Sequence, residues 1–201
     1  MPETETTSEK LLVGPLAFPF FPMRPTTGTP FTPKNYANVL SAVKNYHWQP
    51  KLNGDRVCAG VLDGKVYVQN RHGSFFKHPI HNLDKYLKLP SGTVLDGEVK
   101  DKEFLPFEAL SYGTENFMKA CPSERAKNAK IITEVVGVDW IFEVPTQDWI
   151  LEQITIAAQS RLRHQNPKWE GIVAKLKGSP YVPLGAETQT SRSWFKCKWC
   201  C

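Results

Sequence analysis

The stretch Val57 to Val68 constrains this chain most tightly. It holds two β-patterned runs, VCAGVL and KVYVQN, that meet at Asp63-Gly64. Asp-Gly between two such runs signals a two-residue hairpin, because both central positions of the turn need positive φ. A hairpin commits its strands to an antiparallel sheet. Further strands are expected at Thr93 to Val99 after the Pro90-Ser91-Gly92 turn, at Val138 to Val144, at Gly171 to Lys175 and at Ser193 to Trp199. Helical spacing of apolar residues predicts helices over 34–46, over His81 to Leu87, and over Gln147 to Arg163, where Trp149, Ile150, Ile154, Ala157, Ala158 and Leu162 recur. Another helix is predicted from Ser123 to Val135 with Ser123 as its N-cap. Strands and helices alternate irregularly, so the expected class is α+β with largely antiparallel sheets.

Composition supports that reading. Of 201 residues, 41% are hydrophobic and 22% charged, which excludes a disordered, collagen-like or multi-span membrane chain. The length suits one domain. The apolar run Leu11 to Met23 is too short for a bilayer and is cut by Pro15, Pro19 and Pro22. Glu3, Glu5 and Glu9 precede it, whereas a signal peptide starts basic. Residues 1–21 therefore read as a polar tail and a Pro-rich strap on the core, and residues 22–201 as the domain. The five cysteines are odd in number and scattered, which suggests a reducing compartment, with the cytoplasm as the default location. Cys197 and Cys200 have zinc-like spacing, but no second such pair completes a site.

The net charge of +5 hides an asymmetry. Residues 1–100 carry 12 basic and 8 acidic side chains, residues 101–160 carry 5 and 10, and residues 161–201 carry 8 and 2. Basic ends around an acidic middle suit a phosphate-bearing partner.

Four segments concentrate the chemistry: Lys51-Leu52-Asn53-Gly54-Asp55-Arg56, Asp96-Gly97-Glu98, Glu170-Gly171-Ile172-Val173-Ala174-Lys175 and Trp194-Phe195-Lys196-Cys197-Lys198. Alternate residues of a strand share a face, so Lys196 pairs with Lys198, Asp96 with Glu98, and Glu170 with Ile172. One anchoring or nucleophilic lysine, several carboxylates and a basic pair suit chemistry on a nucleoside triphosphate. Carboxylates hold magnesium against phosphate oxygens, and lysines neutralise the transferring group. Taken singly, each segment also reads as a turn or a solvated strand face. His72, His78 and His81 read as surface or core histidines, and Trp140, Trp149 and Trp169 as core.

In this order, the set resembles the nucleotidyltransferase (adenylation) domain of ATP-dependent polynucleotide ligases, DNA ligases most closely. Lys51 to Arg56 resembles their Lys-x-Asp-Gly-x-Arg, Arg71-His72-Gly73 their Arg-Gly after a hairpin, and Asp96 to Glu98 their Asp-Gly-Glu. Glu170 to Lys175 and Trp194 to Lys198 match two further motifs; Ser179-Pro180-Tyr181 and Ser123-Glu124-Arg125 sit where DNA ligases place similar sequence. The resemblance runs from about Pro22 to Trp199.

It implies an ATP-grasp-like fold of two mostly antiparallel sheets flanked by helices. It implies ATP and magnesium (or manganese) as cofactors and nicked duplex DNA as partner, in repair or replication, with an RNA or hybrid nick left open. A monomer is implied, of the cytoplasm or of a virus acting in its host's cytoplasm. Lys51 would attack the α-phosphate and carry AMP; Gln49 would sit by the adenine amino group. Arg71 and Glu98 would contact the ribose or the nick phosphate. Glu170, with Glu98, would hold the metal. Lys175 would touch the metal-bound phosphate region, and Lys196 and Lys198 would bind the α-phosphate. Arg56 would complete the nucleotide-binding set and face the nucleic acid, and Phe107 is the candidate to stack on adenine. Relatives of this kind include RNA ligases and capping guanylyltransferases, and a non-catalytic nick-binding module is the reading from a different class. Two departures stand out. Asn53 replaces the usual Asp, which removes a negative charge beside the nucleophile. No OB-fold follows Trp199, so the expectation is a fragment, a minimal enzyme, or one that uses a separate OB-fold or accessory protein.

Overall fold

The computed structural model describes residues 10–28, 30, 35, 45–163 and 167–199. Three sheets are present among them. A short hairpin pairs β1 (Leu11–Val13) with β2 (Leu16–Phe18). A mixed four-stranded sheet runs in the order β3 (Pro25–Thr27), β11 (Ser191–Lys198), β10 (Trp169–Leu176) and β4 (Tyr46–Leu52), with only β3 and β11 parallel. An antiparallel five-stranded sheet has the order β6 (Lys65–Asn70), β5 (Asp55–Leu62), β7 (Val94–Lys100), β8 (Glu103–Tyr112) and β9 (Glu115–Asn116). The helices are α1 (Leu83–Tyr86), α2 (Pro122–Val136) and α3 (Gln147–Leu162). None of the described helices is long and apolar enough to cross a membrane.

The Asp63-Gly64 hairpin forms as expected: both residues have positive φ, and Leu62 pairs with Lys65. Ala129, Ile132 and Val136 of α2 bury against the five-stranded sheet with Val57, Ala59, Leu95, Phe104 and Ala109. Ile150 and Ile154 of α3 cover Ile172 and Cys197 of the four-stranded sheet. Among the described cysteines, Cys58, Cys121 and Cys197 are free thiols.

Several expectations need correction. The N-terminal strap is a β-hairpin whose Val13, Leu16 and Phe18 are fully buried with Cys58, Leu110 and Trp194, because a proline between two short apolar runs turns the chain back on itself. Helix α2 starts at Pro122 behind Cys121; Ser123 makes no cap and instead shares a hydrogen bond with the Cys121 thiol, since Pro at the first position sets the start by its fixed φ. Val138 to Val144 is not a strand. Its Trp140 and Phe142 pack as ring edges against neighbours, so its apolar character serves packing without pairing. Leu162 at the end of α3 is exposed. The helix expected over 34–46 falls outside the described residues except at 35, 45 and 46, and Tyr46 there begins β4.

The alternation argument fails at one place. Lys51 pairs with Gly171 and Leu52 with Trp169, so Glu170 is the extra residue of a β-bulge. Ile172 keeps its regular face, buried under α3, while Glu170 turns to the opposite side to meet Lys51 and Lys198. A bulge re-aims a side chain in this manner. Gly171 permits it, because a Cβ there would lie against the Cys197 carbonyl oxygen and 2.8 Å from Lys198 Cα, both backbone atoms that cannot give way. We expect Gly171→Ala to lower stability by about 2 kcal/mol or more. Chemical denaturation checks this, and a change under about 0.5 kcal/mol would show that β11 can move aside.

Candidate active site

Lys51 ends one sheet and Arg56 begins the other. Between them, Gly54 packs so closely on β7 that a Cβ would lie against the Val99 carbonyl oxygen and 2.9 Å from Glu98 Cγ. This contact draws the β4–β5 turn onto β7 and opens a cavity of about 790 Å³ between the sheets. A ligand cleft is typically 300–1,000 Å³.

The cavity gathers all ten candidate residues from the sequence: Gln49, Lys51, Arg56, Arg71, Glu98, Phe107, Glu170, Lys175, Lys196 and Lys198 line it, together with Arg24, Asn70 and His72. On β4, alternation places His47, Gln49 and Lys51 on one face. Lys51 and Lys198 both donate to Glu170, the latter at 2.7 Å. Burial opposes the Glu170 charge, but hydrogen bonds from Lys198 and Lys51 outweigh it and hold the carboxyl below its usual range. Glu98 behaves differently. Burial pushes its pKa up to about 7 against the pull of Lys51 and Arg56, and Asp96 and Glu170 push it the same way. Lys196 is held below the usual lysine range by partial burial and by Lys51 and Lys198.

Arg56 sits deeper than a residue facing nucleic acid. Its guanidinium grips Asp96 at 3.0 and 2.5 Å and lies over Phe107 and Trp194, 5.6 and 5.5 Å from the ring centres. Tyr181 donates to the same carboxylate at 2.9 Å. Phe107 carries Lys175 at 4.7 Å from its ring centre and Phe142 edge-on at 5.7 Å. Asn53 does not line the cavity: its amide donates to the Pro167 carbonyl at 3.4 Å, and its backbone N–H donates to Lys168. An aspartate there could not donate to Pro167, so the Asn is suited to tethering this turn, and the loss of charge falls outside the cavity.

Under the floor lies a buried network that the motifs did not name. Lys175 donates to Gln49 at 2.5 Å and to Glu108 at 2.8 Å. Arg125 donates to Glu108 at 3.1 and 3.5 Å, and to the carbonyls of Ala120 and Ser179. Glu108 and Arg125 are completely buried. Burial opposes the Glu108 charge, but Lys175 and Arg125 hold its carboxyl low, while burial brings Lys175 down to about 8. The available signal for Glu108 was a carboxylate inside the apolar run FLPFEALSY, where only a paired charge is tolerated.

The donors also suit a hard divalent cation. Glu98 and Glu170 supply carboxylate oxygens and influence each other electrostatically. No group of three or more His, Cys, Asp or Glu gathers for a metal among the described residues. One or two carboxylates with the rest of the shell from phosphate and water is how magnesium is usually held beside nucleotides.

Solved ligase domains have the same fold. The ligase domain of LigD from M. tuberculosis superposes with a TM-score of 0.61 at 20% identity, over 89% of this chain and 59% of that one. The mycobacterial DNA ligase D complexed with ATP and MES gives 0.61 at 19% identity, over 89% and 60%. Pmar-Lig_PreS3 gives 0.55 at 18%, over 89% and 46%. This chain therefore spans about 60% of the length of the first two. No protein-family model and no curated protein matches the sequence.

Next to this site, His47 predicts an acid response. Burial and the nearby Lys175 charge lower its pKa to about 4. The unfolded chain protonates it below about 6.5, so its neutral form contributes stability above that pH, which is lost as the pH falls toward 4. Glu98 works in the opposite sense over an overlapping range. The readout is therefore the difference between wild type and His47→Gln, which we expect to narrow by about 3 kcal/mol between pH 7 and pH 4. A constant difference across that range would show that His47 does not titrate in this way.

At these identities the comparison establishes a shared fold: the chain folds as a ligase domain does, with its cavity between the two larger sheets.

Proposed function

We propose that the chain is the catalytic core of an ATP-dependent polynucleotide ligase acting on nicked duplex DNA. The observation that carries this reading is the convergence of Lys51, Glu98, Glu170, Lys196 and Lys198 on one cavity from four separate strands. Lys51 Nζ attacks the α-phosphorus of ATP. An N–P bond forms, the P–O bond to pyrophosphate breaks, and the proton shed by the amine has Glu170 as its hydrogen-bonded acceptor. Lys196 and Lys198 neutralise charge on the α-phosphate. The AMP then passes to a 5′-phosphate, and a 3′-hydroxyl displaces it to close the phosphodiester. A divalent cation held by Glu98 and Glu170 supplies further neutralisation of phosphate charge. The cationic rim of Arg24, Arg71 and Lys77 fits a duplex backbone gripped without base readout.

Intact mass after incubation with ATP and magnesium tests the first step. Wild type gains one AMP and Lys51→Ala gains none; GTP in parallel reports any guanylyl transfer. If neither ATP nor GTP adds mass, a pre-adenylated nick separates a ligase blocked in its first step, which seals it, from a nick-binding module, which does not.

Glu98 gives the metal dependence a sign. Its carboxyl is about half protonated near pH 7. Binding of Mn²⁺ must displace that proton, so affinity rises several-fold from pH 6 to pH 8. Glu98→Gln weakens binding and flattens the profile. Equal Mn²⁺ affinity at both pH values in the wild type would remove Glu98 from the ligand set.

A further inference from the structure

We propose that Lys175, acting through the Gln49 amide, sets the choice between adenine and a 6-oxopurine in this cavity; the inference rests on the nucleotide-binding reading above. Gln49 makes two hydrogen bonds. Its Nε2 donates to the Phe107 carbonyl at 3.0 Å, and its Oε1 accepts from Lys175 at 2.5 Å. An ammonium only donates and a backbone carbonyl only accepts. One orientation of the amide satisfies both; the flipped one sets NH₂ against the ammonium and oxygen against the carbonyl. Gln49 is thus locked, with one Nε2 hydrogen and one Oε1 lone pair left over.

Lys175 is itself held on several sides. It is buried between Glu108 and Gln49, with the Trp194 ring centre 4.1 Å and the Phe107 ring centre 4.7 Å from Nζ. Glu108 is gripped in turn by Arg125, whose other hydrogen bonds go to backbone carbonyls and whose guanidinium lies over the Tyr181 ring. The lock therefore reaches from helix α2 to the corner where an amide and an aromatic ring line the cavity. Lys51, the first of the phosphate-side lysines, lies two residues further along the same face of β4.

The consequence follows from purine chemistry. A Gln amide can pair bidentately with adenine, accepting from its amino group and donating to a ring nitrogen. In guanine or hypoxanthine the 6-substituent is a carbonyl, which accepts where adenine donates. On the six-membered edge the neighbouring ring nitrogen reverses as well. A freely rotating Gln would flip and serve both bases. A locked one serves only the base whose pattern it matches, because the other leaves buried groups unpaired.

The test is titration calorimetry of the whole chain with ATP, GTP and ITP, without divalent cation so that binding is read apart from catalysis. ITP carries the 6-carbonyl without the 2-amino group and so isolates the amide's contribution. Wild type is expected to prefer ATP over ITP at least tenfold. Lys175→Met fills the same space without an obligate donor and leaves Glu108 paired with Arg125; it should cut that preference several-fold, the Phe107 carbonyl still holding Nε2. Gln49→Met should bring it near unity, and the double variant should match Gln49→Met, since Lys175 acts through Gln49. Thermal unfolding confirms that each variant folds, and Lys175→Gln, which also lacks an obligate donor, replaces Lys175→Met should that variant not fold. An unchanged ATP-to-ITP ratio on changing Lys175, or a further fall in the Gln49→Met background, would overturn the proposal. Equal wild-type affinity for all three nucleotides overturns it too while leaving the nucleotide-binding reading intact; no binding of any of them overturns that reading itself.

Discussion

Glu108 is the charge on which the architecture turns. It comes from the five-stranded sheet, Lys175 from the four-stranded sheet and Arg125 from helix α2, and all three are buried. Desolvating three charges costs more than most single interactions return, so such a cluster is weak evidence for stability as such. It does enforce geometry. Removing Glu108 leaves two buried cations uncompensated, at a cost of about 3–5 kcal/mol, so the two sheets cannot separate or slip without losing much of that. The cavity lies between those sheets, with Lys175 in its lining and the rest of the cluster beneath it.

Above the floor, two backbone devices place the charged groups of the cavity. Gly54 brings the turn after Lys51 against β7, so that Glu98 reaches the same space from the other sheet. The bulge at Glu170 turns a carboxylate that regular pairing would bury with Ile172 toward Lys51 and Lys198. Both depend on a glycine whose hydrogen is all that the neighbouring backbone allows. The glycines of the two motifs are thus explained by close approach of chains, while the charged residues beside them line the cavity.

This division explains what could be read in the sequence. Lys51, Glu98, Lys196 and Lys198 were legible because each occupies a short β-patterned motif, and alternation along a strand assigns its face. The Asp63-Gly64 hairpin was legible for a similar local reason. Glu170 stands in one of these motifs, but alternation assigns it the wrong face, because a bulge depends on the register of two neighbouring strands, which is tertiary information. Arg56 belongs to the right motif, yet its carboxylate partner Asp96 and its two aromatic neighbours come from other strands, so its depth could not be inferred. Glu108 escaped because its meaning lies in Lys175 and Arg125, 67 and 17 residues away. The Val138 to Val144 segment shows the converse error: apolar and β-branched residues suggest a strand, but ring packing on Phe107 and Trp169 uses the same residues without a ladder.

Charge bookkeeping in the cavity links these placements to what it can accept. Lys51, Lys196, Lys198, Arg24 and Arg71 line it, against the carboxylates of Glu98 and Glu170. Glu170 is already satisfied by two lysines, and Glu98 is partly neutralised by its burial. The field inside is therefore positive, as a polyanion requires. Asn53 alters this little, since its amide is committed to Pro167 outside the cavity. The acidic partner of Lys51 comes from the neighbouring strand β10 at Glu170, so an aspartate in the lysine's own motif is not needed to pair with it. The motif's departure from the common ligase pattern is then a change in how a turn is tied down, with the electrostatics around Lys51 set by β10 and β11.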